Sequence, residues 1–167
     1  MTGISNAYPK GWPELASGIL ECPDISGVYK DRGLYSHRSG NFSEFLAYRL
    51  DDRNITFRAD SVRVSKIDGD TFSVVAFNVE GKPFEAFTLS RGAGDYECVE
   101  GKIWLPTSEE SVADGTGFVG TETKIGFSKA IDGSLIGETR HFSYGVAMWV
   151  VPGATTQVFW YQWQLAE

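Results

Sequence analysis

Metal-ligating side chains are scarce in this sequence: two histidines, His37 and His141, and two cysteines, Cys22 and Cys98, among 167 residues. No His-x-x-x-His or Cys-x-x-Cys grouping occurs, and a zinc site needs three or four such ligands gathered together. We therefore expect no metal and no other cofactor. A Gly-x-Ser-x-Gly elbow is also missing, which removes a common signature of serine hydrolases. No run of Lys or Arg exceeds two, and 15 basic residues face 22 acidic ones for a formal charge of −7. Such a chain repels a phosphate backbone, because nonspecific nucleic-acid binding rests on clustered cations. Apolar runs such as "YGVAMWVVPG" fall far short of the roughly 20 residues that span a bilayer, so no membrane span is expected in this chain. The N-terminus lacks the basic region and apolar stretch of a signal peptide.

Aromatics and glycine are plentiful. Phe, Tyr and Trp make up 14% of the chain, with 11 Phe, 7 Tyr and 5 Trp beside 19 Gly. That composition favours strands and tight turns over helices. With 42% hydrophobic and 22% charged residues, the chain has the make-up of a globular protein and the length of one domain. "MTGISNAYPKGWPELASG", with two prolines and three glycines, reads as an extended linker or wall-hugging tail. We place residues 1–21 in that segment and 22–167 in a single β domain.

Most of that domain reads as hairpins. "SVRVSKI" leads through Asp68-Gly69-Asp70 into "TFSVVAFNV", then through Glu80-Gly81-Lys82 into "PFEAFTLS"; "YECV" turns at Glu100-Gly101 into "KIWLP". An apolar or alternating run on each side of an Asp-Gly or Glu-Gly pair is a strong hairpin signal. The pattern resumes with "TKIGFSKAI", Asp132-Gly133, "SLIGETRHF", "GVAMWVV" and "TQVFWYQWQL", after a polar loop at "TSEESVADGTG". One short helix is expected at "NFSEFLAYRLDD", where Phe45, Leu46, Arg49 and Leu50 fall at helical spacing. About nine antiparallel strands without crossover helices predict an all-β fold. We expect a meander closing into a calycin or lipocalin-like barrel, with a two-sheet sandwich as the alternative.

Candidate sites are few. In "VFWYQWQL", Phe159, Tyr161, Trp163 and Leu165 share one face, and Val158, Trp160, Gln162 and Gln164 the other. Core packing is the plainer reading of these rings. The sharper one is a ligand cavity lined by Trp149, Trp160, Tyr161 and Trp163, whose polar tips orient a small apolar molecule. "GTGFVG", Gly115–Gly120, matches a dinucleotide-binding pattern but leads into a strand instead of a helix, so it reads as a turn. Acids at Glu109, Glu110 and Asp114 read either as solvating groups or as a face that docks a basic partner protein. Glu21 and Asp24 flank Cys22, and Glu97 and Glu100 flank Cys98, which disfavours a reactive thiolate at either. The two cysteines leave one possible intramolecular bridge, with a pair of reduced thiols as the alternative in a reducing compartment.

"YPKGWP", "ECPDISGVYKDRG", "YECVEGKIWL" and "AIDGSLIGE" together resemble the mature part of small exported proteobacterial proteins, often lipoproteins, of uncharacterised function. The resemblance implies the periplasmic side of a bacterial envelope, an oxidised cysteine pair, and an anchor cysteine upstream of Met1. From charge, size and missing motifs we expect a non-enzymatic module that binds a partner protein through an acidic surface, as an immunity or inhibitor protein does. A lipocalin-like carrier of a small apolar ligand is the alternative, and a hydrolase with a dispersed site a weaker one.

Overall fold

The computed structural model describes residues 7–16, 22–35, 40–42 and 59–166. The helix expected over 41–52 lies outside them apart from Asn41 and Phe42, as does His37. Twelve strands are described: β1 (Gly27–Lys30), β2 (Arg32–Tyr35), β3 (Gly40–Asn41), β4 (Ser61–Lys66), β5 (Thr71–Phe77), β6 (Pro83–Ser90), β7 (Glu97–Val99), β8 (Lys102–Trp104), β9 (Ser108–Asp114), β10 (Gly117–Lys129), β11 (Leu135–Ala147) and β12 (Val151–Trp163). They form two antiparallel sheets, one of order β1-β4-β5-β6 and one of order β3-β2-β12-β11-β10-β8-β7, with β9 also paired to β10.

The expected closed barrel is not formed, and the two-sheet arrangement fits better. The sheets touch along one seam, where the chain passes from β1 to β2 through the single residue Asp31. There the Lys30 amide donates to the Gln164 carbonyl at 2.9 Å and the Ala166 amide to the Val28 carbonyl at 2.8 Å. Closure would need a second seam between β6 and β7, and among the described residues no ladder joins them. β7, three residues long, pairs instead with β8 through a turn at Glu100 and Gly101, both with positive φ. The turn geometry suits Gly101 and matches the right-handed strand twist.

Between the sheets the alternating strands deliver their apolar sides: Val62 and Val64 from β4, Phe72, Val74 and Ala76 from β5, Ile125 and Phe127 from β10, Leu135 from β11 and Trp163 from β12. Phe42 is the hub of the rings, with centroids 5.9 Å from Tyr29, 5.7 Å from Phe127 and 5.1 Å from Trp163. Burying a Phe-sized side chain stabilises by roughly 1.5–3 kcal/mol, so this cluster is a principal source of stability. Tyr29 also satisfies its hydroxyl, which donates to the Ile25 carbonyl at 2.8 Å. Cys22 and Cys98 form a disulfide, Cα atoms 5.2 Å apart, that packs on this cluster and fastens the segment before β1 to β7. A link between residues 76 apart removes much freedom from the unfolded chain.

Three large rings pack over strand glycines. Trp163 covers Gly137, Trp104 covers Gly126 and Tyr144 covers Gly120, each so close that a β-carbon on the glycine would meet the ring at 2.5–2.7 Å. The ring supplies the burial that glycine cannot, an arrangement known to rescue glycine in sheets. Gly137→Ala should therefore force the fully buried Trp163 out of place and lower unfolding stability by about 1–3 kcal/mol in a urea titration; an unchanged midpoint would show that Trp163 can shift without cost.

Candidate functional site

β10, β11 and β12 are each 13 residues long, roughly 40 Å at the usual rise per residue. Only about half of that length belongs to the core. The register runs unbroken from Lys129↔Leu135 to Gly117↔Ala147 and from Leu135↔Trp163 to Ala147↔Val151. The outer halves, with β9 along one edge, form a four-stranded arm whose first seven β12 residues are all exposed. This corrects two sequence expectations: "TSEESVADGTG" holds strand β9 instead of being only a loop, and "GVAMWVV" is not one strand but the end of β11, a turn and the start of β12.

The actual turn is Ala147–Val150. The Val150 amide donates to the Ala147 carbonyl at 3.2 Å, and Met148 and Trp149 take φ values of 51° and 60°. Two successive positive φ values define the hairpin turn that Asn-Gly normally fills. Bulky residues there are strained, at a cost of order 1–3 kcal/mol each. The turn is held by the Met148 amide, which donates to the Thr116 carbonyl at 2.7 Å. Its consequence is exposure: Met148, Trp149, Val150 and Val151 all project into solvent, Trp149 with 59% of its surface accessible. The neighbouring turn is stitched by Asp114, whose carboxylate accepts from the Thr116 amide at 2.7 Å, the Thr116 hydroxyl at 2.6 Å and the Gly117 amide at 3.1 Å. Those bonds hold the Asp114 carboxyl below the usual carboxylate range.

The arm face continuous with the core carries a trough of ≈ 520 Å³. Cross-strand partners share a face, so Val112, Val119, Gly145 and Gly153 form one row and Asp114, Gly117, Ala147 and Val151 the row beyond it. The glycines lower the floor, and the valines and Ala147 make it apolar. Toward the core come hydroxyls, Thr121 and Ser143 at 3.4 Å, then Thr123 sharing a 2.9 Å hydrogen bond with the His141 ring. Beyond His141 lies the buried Thr139 hydroxyl, which finds no hydrogen-bond partner among the described residues. Burial pushes the His141 pKa down, favouring the neutral ring.

The sequence candidates fall in separate places. Glu109, Glu110 and Asp114 all lie on β9, but alternation puts Glu109 on one face and Glu110 and Asp114 on the other. With Glu122 they give the arm, 108–123 and 141–157, four acids and no Lys or Arg. The four rings proposed to line one cavity do not meet. Trp163 is buried and Tyr161 stacks on it at 5.7 Å, Trp149 stands at the arm tip, and Trp160 lies on the opposite sheet face. Trp160 is covered by Tyr8 at 5.1 Å, because residues 7–16 lie along that face, bonded at Ala16 to Lys129 and at Ile131 to Glu14. Sequence reasoning missed the trough, whose floor depends on cross-strand register. Among the described residues no group of three metal-ligating side chains gathers, and no helix is long and apolar enough to cross a membrane.

No protein-family model matches the chain, and no curated protein or solved structure does either.

The depressed His141 pKa has a signed consequence. The unfolded chain takes up a proton near pH 6.5 while the folded ring resists it, so this contribution is complete above about pH 6.5 and is lost as pH falls below it. Asp24 and Asp114, also held low, act only in the carboxylate range near pH 4. Urea midpoints should decline from about pH 7 to about pH 5.5, and His141→Gln should flatten that decline; an equal slope in the variant would contradict the assignment.

Proposed function

We propose that the protein is a non-enzymatic binding module of the bacterial envelope that docks a basic partner protein through the arm, as an immunity or inhibitor protein caps a toxin or hydrolase. The observation that carries this reading is the turn at Met148 and Trp149, where strained backbone keeps large apolar side chains in water. Strain held at such a position points to a role in contact with something else. The arm's four acids without a cation favour a basic surface and disfavour anionic lipid, which would repel them. Exposed aromatic and apolar residues are the usual make-up of an interface hot spot. The disulfide supports an oxidising compartment, in keeping with the envelope.

A second reading, carriage of a small apolar ligand, is favoured by the trough, whose ≈ 520 Å³ falls within the range of ligand pockets. An apolar compound that binds independently of salt and competes with the partner at the arm would be that ligand.

The test is a photo-cross-linking amino acid placed at Trp149, with the same label at Val79, exposed on the β5–β6 connection, as control. In an envelope extract the Trp149 label should give one principal adduct with a basic protein. Its yield should fall at high salt and with Glu109→Lys/Glu110→Lys, and Val79 should not give it. Equal adducts from both positions, or a yield insensitive to salt, would remove the proposal.

A further inference from the structure

The other face of β10, β11 and β12, at the root of the arm and along it, carries a different assembly. Cross-strand partners there run Gly126–Glu138–Trp160, Lys124–Arg140–Val158, Glu122–Phe142–Thr156, Gly120–Tyr144–Ala154 and Phe118–Val146–Pro152 from root to tip. Tyr144 packs over Gly120, where a β-carbon would meet the ring at 2.5 Å. Phe142 stacks beside it at 5.6 Å and an interplanar angle of 29°, and Phe118 follows at 6.1 Å. Phe142 and Tyr144 are 39% and 36% exposed. The result is a strip of three partly exposed rings, Phe142 and Tyr144 nearly parallel and Phe118 tilted 53° from Tyr144.

At the root end of the strip stand two cations side by side. Lys124 and Arg140 are direct cross-strand partners, an arrangement that costs stability because like charges repel. Both also sit over the Trp104 ring, Lys124 at 5.1 Å and Arg140 at 4.8 Å. Each is held from below or beside: Arg140 by the buried Glu138 carboxylate, which Lys102 also engages, and Lys124 by Glu97 at 2.8 Å. Half of the Arg140 side chain remains exposed. The pair is thus oriented by its partners yet open to solvent, next to Phe142.

We propose that this face binds an acidic saccharide, its pyranose rings stacked on Phe142 and Tyr144 and a carboxylate directed to Lys124 and Arg140. A sugar ring presents a flat face of C–H groups to an aromatic ring and a polar rim to charged groups, and that is the chemistry on offer here. A polyphosphate chain is disfavoured because the cations stop at one end and Glu122 and Glu109 pair beside the rings. The site is separate from the Met148–Trp149 tip, while Phe118 and Tyr144 also border the trough.

Cellobiouronic acid, a disaccharide with a single carboxylate, and its uncharged methyl ester test the proposal by NMR titration of the intact, oxidised protein. The acid should shift the resonances of Phe142, Tyr144 and Arg140. Tyr144→Ala should weaken both sugars about tenfold, the scale of one lost stacking contact. Lys124→Gln should weaken only the acidic form, and Phe142→Ala should repeat the Tyr144→Ala result should that variant fold poorly. Shifts confined to other residues, no shifts at millimolar sugar, equal affinity in Tyr144→Ala and Phe142→Ala, or burial of Tyr144 by a bound partner protein would each overturn it.

Discussion

The arm exists because three strands keep one register over 13 residues each. In the inner half, that register is enforced by burial: shifting β11 by one residue would turn Leu135 and Thr139 away from the core and Glu138 into it. Strands locked at one end carry their alignment outward, so the outer halves need little packing of their own to remain a sheet. This places apolar and acidic side chains on a two-faced projection that an isolated hairpin could not sustain in water. The trough, the strained tip and the ring strip are all products of that single extension.

Glycine and aromatic residues work as pairs in this extension. Trp163 on Gly137 anchors the inner face, where the ring completes the core. Trp104 on Gly126 and Tyr144 on Gly120 lie on the opposite face, the first capped by cations and the second open. The same local device therefore stabilises the root and prepares a surface farther out. Where no ring covers the floor, as at Gly145 and Gly153, the sheet is left shallow and forms the trough.

Legibility in the sequence followed the turn chemistry. Glu100-Gly101, Asp132-Gly133 and Glu80-Gly81 were readable because glycine takes up the positive φ at 101, 133 and 81. The 147–150 turn was hidden because Met and Trp are poor formers of it, so "GVAMWVV" reads as one apolar strand. β9 was hidden because both its faces are exposed, so burial imposes no alternation on Ser108–Asp114. The inner face of β12 was legible from Phe159, Tyr161 and Trp163; the covering of Trp160 on its other face by Tyr8 and Trp12 is a long-range event that strand alternation does not show. The acids of β9 were visible as a cluster, but not their division between two faces, which only register reveals.

That the strained tip is maintained for contact is the central claim, and replacing the turn tests it most directly. The double variant Met148→Asn/Trp149→Gly supplies the residues this turn geometry prefers. It should raise unfolding stability, by an amount on the order of 1 kcal/mol or more, while abolishing capture of the basic partner. A variant that is less stable than the parent, or one that is more stable and still captures the partner at full yield, would contradict the account.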